Sequence, residues 1–171
     1  MSDKGKCVVQ EHVEAIKWYL LAAVQGNANA EYNLGLMYEK GIGVPQDYAE
    51  AGKWHRLAAA HGDARAQINL GHRYKNGQGV AQDYVDAAKW YRLAAAQGIA
   101  DAQYNLGLNY ANGQGVTQDY TEAFKWWNPA AVQGDALAQY NRGVMYDQGR
   151  GIPQESAEAV KWYRLPAAQG K

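Results

Sequence analysis

Residues 27–62 read NANAEYNLGLMYEKGIGVPQDYAEAGKWHRLAAAHG, and residues 63–98 read DARAQINLGHRYKNGQGVAQDYVDAAKWYRLAAAQG. Laid over one another without a gap, they agree at Leu34 and Leu70, Gly35 and Gly71, Tyr38 and Tyr74, Gly41 and Gly77, and Trp54 and Trp90. The same text recurs at 99–134 and 135–170, and Trp18, Trp54, Trp90, Trp126 and Trp162 all stand 36 residues apart. A fixed period of this length marks stacked supersecondary units. Residues 5–26 match the second half of a unit, with Gly5, Val8, Gln10, Trp18 and Gly26 in register. The expected organisation is therefore an N-terminal half repeat at 1–26, a loop plus second helix, and then four repeats at 27–62, 63–98, 99–134 and 135–170 that form one continuous domain over 27–170.

Each unit reads as two helices, because Ala, Leu, Gln, Glu, Lys and Arg dominate two stretches that end in stop signals. The first helix is predicted near 28–40, 64–76, 100–112 and 136–148. Each ends at Gly41, Gly77, Gly113 or Gly149, where a residue without Cβ can close the helix in the left-handed conformation. Asp47, Asp83 and Asp119 are placed to cap the second helix, and Glu50, Asp86 and Glu122 three residues on suggest a capping box. Short turns then force antiparallel neighbours. The predicted fold is all-α, an α/α superhelical solenoid of stacked antiparallel helix pairs. Pro129 replaces the Leu of Leu21, Leu57, Leu93 and Leu165, so a kink that shifts Trp126 and Trp127 is expected there.

Composition narrows the function. Apolar residues make up 47% and charged residues 20% of 171, so the chain should fold. Seventeen basic residues balance seventeen acidic ones, which leaves no field to gather nucleic acid or anionic lipid. One cysteine, Cys7, excludes an internal disulfide framework and a thiolate-rich metal site.

Leu34-Gly35-x-x-Tyr38, Gly41-x-Gly43-Val44, Ala51-x-x-Trp54 and Ala58-Ala59-x-x-Gly62 resemble the SEL-one-like repeat, a relative of the tetratricopeptide repeat, over residues 5–170. The resemblance implies adaptors and scaffolds in signalling, quality control and host–microbe contact, with no fixed partner; the residues themselves offer no paired carboxylates, nucleophile–base set or cofactor loop, so no cofactor is expected.

Other signals have plainer readings. Ala15–Val24 looks like a leader, but Lys17 interrupts it and the register makes it a helix, so no leader or membrane insertion is expected. The compartment is left open, with the cytoplasm favoured. The Gly-x-Gly pairs lack a preceding strand and are read as turns. His12, His55, His61 and His72 share no spacing, so packing is expected of them before metal or catalysis. Lys17, Lys53, Lys89, Lys125 and Lys161 form a ladder, each three residues after an acid, as in ordinary helical pairing.

With Leu34 at zero and about 100° per residue, Ala30 and Tyr38 share its packed side. Tyr32, Leu36, Asn29, Lys40 and Asn33 fall together between about 160° and 260°. Their equivalents are Ile68, His72, Arg65, Asn76 and Asn69; Tyr104, Leu108, Asp101, Asn112 and Asn105; and Tyr140, Val144, Leu137, Gln148 and Asn141. The resemblance would place this arc in a concave groove. Asn33, Asn69, Asn105 and Asn141 recur, and an amide offers the donor and acceptor that an extended peptide needs. The same ladder could instead hold neighbouring units in register.

The expected function is a non-enzymatic scaffold that binds a partner peptide or protein through these four Asn with Tyr32, Tyr104, Tyr140, Arg65, His72, Leu36 and Leu108. The alternatives are a structural spacer within a larger repeat protein and a small-substrate hydrolase with an acid–base pair in the groove. Self-association through an uncapped last helix, near 156–169 and weakened by Pro166, is a further expectation.

Overall fold

The computed structural model describes residues 3–169, with side chains from 11 to 164. Nine α-helices and no strand occur among them. In chain order they are α1 (Asp3–Ala23), α2 (Ala28–Lys40), α3 (Tyr48–Ala60), α4 (Ala64–Asn76), α5 (Tyr84–Ala96), α6 (Ala100–Asn112), α7 (Tyr120–Val132), α8 (Ala136–Gln148) and α9 (Ser156–Gln169). The chain divides into two compact units, 1–70 and 71–171.

The punctuation is local chemistry. Asp47, Asp83 and Asp119 each accept hydrogen bonds from two opening amides of their helix, at 2.8–3.1 Å. The carboxylates of Glu50 and Glu122 pair with Lys53 and Lys125 one turn on. Asn27, Asp63 and Asp135 cap first helices by accepting from one amide each, three residues on. In the turn after α2, Gly41 and Gly43 sit at φ 66° and 72°, a region that side chains with a Cβ disfavour. Gln46 folds back and donates to the Glu39 carbonyl at 2.8 Å, and Gln82, Gln118 and Gln154 repeat the bond to Lys75, Ala111 and Asp147. The Gln of each Gly-x-Gly-x-x-Gln turn thus satisfies a helix-end carbonyl that the helix leaves open.

The N-terminal segment departs from the register. Residues 5–10 were expected to be a loop, but α1 runs unbroken from Asp3. Cys7 stands where Gly43 takes its positive φ, and Glu11 stands where Asp47 caps, so the two residues that break the chain elsewhere are missing here.

Each unit has its own core. In unit 1, Ile16, Ala23, Ala30, Leu34 and Met37 form it, with Trp54 packed against them. In unit 2, Ala123, Trp127, Ala130, Ala138 and Met145 do so, with Trp162 alongside. Small residues let the helices approach. A Cβ on Gly107 would lie 2.4 Å from the Trp127 Nε1, and one on Gly71 would lie 2.5 Å from the Tyr91 ring. α7 continues through Pro129, and Trp127 keeps over Gly107 the slot that Tyr91 keeps over Gly71. Trp127 is 5% exposed and its indole N–H is tied to the Tyr104 carbonyl at 3.1 Å.

Candidate functional site

In unit 1 the helical arc separates two environments. Leu34 and Ala30 are buried, whereas Tyr32, Asn33 and Leu36 are half-buried and Asn29 and Lys40 exposed. Arg65 is not a free cation. Its guanidinium lies 4.0 Å from the centre of the Tyr32 ring and donates to the Asp63 carboxylate at 2.6 Å and to the Asn29 side chain at 2.7 Å. The unit therefore presents a fixed plate of guanidinium over phenol, with Asn69 exposed at its end.

The remaining sequence-predicted residues lie in unit 2, and they fall into two groups. The first is a hydrogen-bonded chain. The Tyr91 hydroxyl and His72 Nδ1 share a hydrogen bond at 2.9 Å, and His72 Nε2 lies 3.6 Å from Asp101. Asn105 donates to both the carbonyl and the carboxylate of Asp101 at 2.9 Å and accepts from Lys75 at 3.4 Å. Asn105 is only 5% exposed and its amide is committed to this chain. Burial, and then Asp101, push the Tyr91 hydroxyl far above its ordinary value, so it serves as a donor and not as a base. The His72 hydrogen bond, against the effect of burial, holds Asp101 below the usual carboxylate range. These bonds tie His72 to Tyr91 and Lys75 to Asn105, an arrangement that fits structural support.

The second group surrounds a cleft of 200 Å³. Leu108, Asn112, Asn141, Val144 and Gln148, all from the sequence-predicted arc, line it with Ala111, Met145, Trp127, Tyr120 and Arg150. Tyr104 and Tyr140 lie on the same two helices. Tyr104 is half-buried, and burial raises its hydroxyl pKa. Tyr140 is 54% exposed and meets the Tyr163 ring at 5.7 Å.

Sequence reasoning missed Arg142, which is 7% exposed in the slot that Leu34 and Leu106 fill. Its guanidinium stacks 3.8 Å from Trp162 and 5.0 Å from Phe124 and donates to Asn128, which itself replaces the Arg of Arg56 and Arg92. The signal was present as two breaks in the repeat. On the last helix, where self-association was expected, Pro166 and the other side chains from 165 onward lie outside the described ones. No group of three or more metal-binding side chains occurs among the described residues. None of the helices among the described residues is long and apolar enough to cross a membrane.

The Sel1 repeat family matches at 1–27, 28–63, 64–99, 100–135 and 136–171. The chain belongs to that family. Sel1 repeat proteins are helical-repeat solenoids that generally act as protein-interaction scaffolds and are typically non-enzymatic. Two solved structures carry the likeness. A protective antigen from uropathogenic Escherichia coli strains, with an SLR fold, is 44% identical over 91% of this chain and 33% of its own, at a TM-score of 0.81. A Sel1 repeat protein from Oxalobacter formigenes is 39% identical over 92% of this chain and 63% of its own, at 0.76. The chain thus spans a third of the first and less than two thirds of the second. Helicobacter pylori cysteine rich protein B, 22% identical over 77% of this chain and 94% of its own, shares the fold at 0.56. No curated protein sequence matches the chain.

Proposed function

We propose that this Sel1 repeat chain is a non-enzymatic interaction module that holds an extended segment of a partner protein against the first-helix faces of its units. The observation that supports it is in unit 2, where five residues assigned to one face by helical angle border one cleft. Aromatic and aliphatic surface beside amides suits a peptide, whose side chains need apolar contact and whose main chain needs donors and acceptors. In this reading Asn33, Asn69 and Asn141 meet partner main chain, Tyr32, Leu36, Tyr104, Leu108 and Tyr140 grip side chains, and Arg65 and His72 supply local polarity. Asn105 supports the face through Asp101 and Lys75 and does not reach the partner.

The test is capture of partners from the native host on the immobilised chain, followed by calorimetry with the recovered protein. Tyr140→Ala combined with Asn141→Ala should weaken binding by about tenfold or more while circular dichroism stays unchanged. Equal binding by that folded variant would sink the reading and favour a structural spacer. Asn69→Ala should reduce binding alone, whereas Asn105→Ala should instead cost about 1 kcal/mol of stability.

A further inference from the structure

We propose that the unit 2 cleft is an anchor for one apolar side chain with a carboxylate on the same or the next residue, the carboxylate meeting Arg150. This deepens the peptide-binding reading and rests on it. Size is the first argument. Sites for drug-sized ligands and cofactors run to about 300–1,000 Å³. At 200 Å³ the cleft holds a side chain and not a cofactor. Its apolar part is rigid: Leu108 and Val144 come from two helices, and the Trp127 indole is pinned through its N–H to Tyr104.

Charge is the second argument. The lining contains one cation, Arg150, and no carboxylate, with amides from Asn112, Asn141 and Gln148 beside it. A neutral apolar occupant would have no use for that cation, whereas an anion gains from the cation and the amide donors together. Arg150 is unlike its counterparts, since the same place in the other Gly-x-Gly turns holds Ile42, Gln78 and Gln114. The turn is also fixed in position. Thr121 donates to the Gly151 carbonyl at 3.1 Å, and a Cβ on Gly151 would fall 2.7 Å from the Thr121 nitrogen. The guanidinium sits 5.5 Å from the Tyr120 ring centre and makes no side-chain hydrogen bond among the described residues, so its donors remain available.

The experiment uses the whole ¹⁵N-labelled chain and four probes: N-acetyl-leucine, N-acetyl-leucinamide, N-acetyl-leucyl-aspartamide with a free side-chain carboxylate, and acetate. At least one leucine probe with a carboxylate should produce saturable shifts at the Trp127 indole and around 108–112 and 141–150, with dissociation constants on the order of millimolar. The leucinamide and acetate should bind more weakly. Arg150→Ala, an exposed turn substitution, should weaken the carboxylate probes by about tenfold and leave the leucinamide unchanged. Stronger binding by N-acetyl-leucine assigns a chain-terminal carboxylate, and stronger binding by the aspartyl probe assigns a side chain. Absence of saturable shifts, equal binding of the amide, or indifference to Arg150→Ala would overturn the proposal. If it falls while Tyr140→Ala with Asn141→Ala still weakens partner binding by about tenfold or more, only the anchor is lost and the wider reading stands.

Discussion

Glu31 in unit 1 and Gln103 in unit 2 occupy the same repeat position, two periods apart, and are 2% and 5% exposed. Each bonds a residue thirty positions later: Glu31 meets His61 at 2.9 Å, and Gln103 accepts from Gln133 at 3.0 Å. Only Gln103 also donates to the end of the preceding helix, at the Ala95 carbonyl. Glu31 thus fills the slot with an ionisable pair, whereas Gln103, like Gln67 one repeat after Glu31, fills it with an amide that donates to the preceding helix. The repeat fixes geometry, and the chemistry at a slot is free as long as it remains paired.

The largest expected effect comes from breaking that pairing. Gln103→Glu removes the donor to Ala95 and buries a carboxylate opposite a neutral amide, which should cost about 3 kcal/mol in urea denaturation. Adding Gln133→His should recover much of the loss, and more at pH 6 than at pH 8, because an imidazole of ordinary pKa is more charged at the lower pH. No recovery at either pH would mean that the slot is not transferable. The reciprocal Glu31→Gln should stay within about 1 kcal/mol of the parent, since an amide pair is what the other unit uses.

Next in size is the glycine slot. Gly107→Ala brings a Cβ within 2.4 Å of an indole held by its own hydrogen bond, so the ring cannot swing aside. The expected cost is about 2 kcal/mol, with loss of the Trp127 buried fluorescence signature. An unaltered denaturation midpoint would show that the helices separate more easily than this packing allows.

Smaller still is the exchange at the core leucine slot, where Leu34 is 0% and Arg142 is 7% exposed. Arg142 holds its charge with ring faces and the Asn128 amide, and its Nε has no partner among the described residues. Arg142→Leu, restoring the residue of the other units, should be neutral or gain about 1 kcal/mol. A large loss would instead assign the cation–π stack a net stabilising role.

These comparisons also show where the sequence was informative. The ends of the helices at 28–40 and 100–112 were legible because Gly41 and Gly113 close them through their own backbone chemistry, which acts within a few residues. The α1 extension was not legible, because matching Gly5 and Gln10 to the register gave too little weight to Cys7 and Glu11 in the two breaking positions. Pro129 lies inside α7, which runs on to Val132 while the Trp127 indole bonds α6. The arc around Leu108 and Val144 followed from the helical angle. The Asn105 bond to Asp101 is a local one-turn contact that the same angle allows, whereas its contact with Lys75 is made only by packing.

The smallest expected effect is the response to acid, and it differs between the units. Burial alone would raise the Asp63 pKa, but its hydrogen bonds with Arg65 and the Ala66 amide overcome this and hold it below the ordinary value. Asp101 is lowered chiefly by the His72 hydrogen bond. For both, the folded pKa lies below the unfolded one. Each therefore adds stability that is complete above the unfolded carboxyl value, near pH 4, and is lost as pH falls through the folded value. The Asp63 side chain is 7% exposed and the Asp101 side chain 55%, so water and salt screen Asp101 more. Asp63→Asn, which keeps an N-capping oxygen, should flatten the acid limb of a stability–pH curve below about pH 4 more than Asp101→Asn does. Raising the salt concentration should shrink the Asp101 contribution first. Equal flattening by both, or a limb unchanged by either, would remove burial as the factor that separates the two carboxylates.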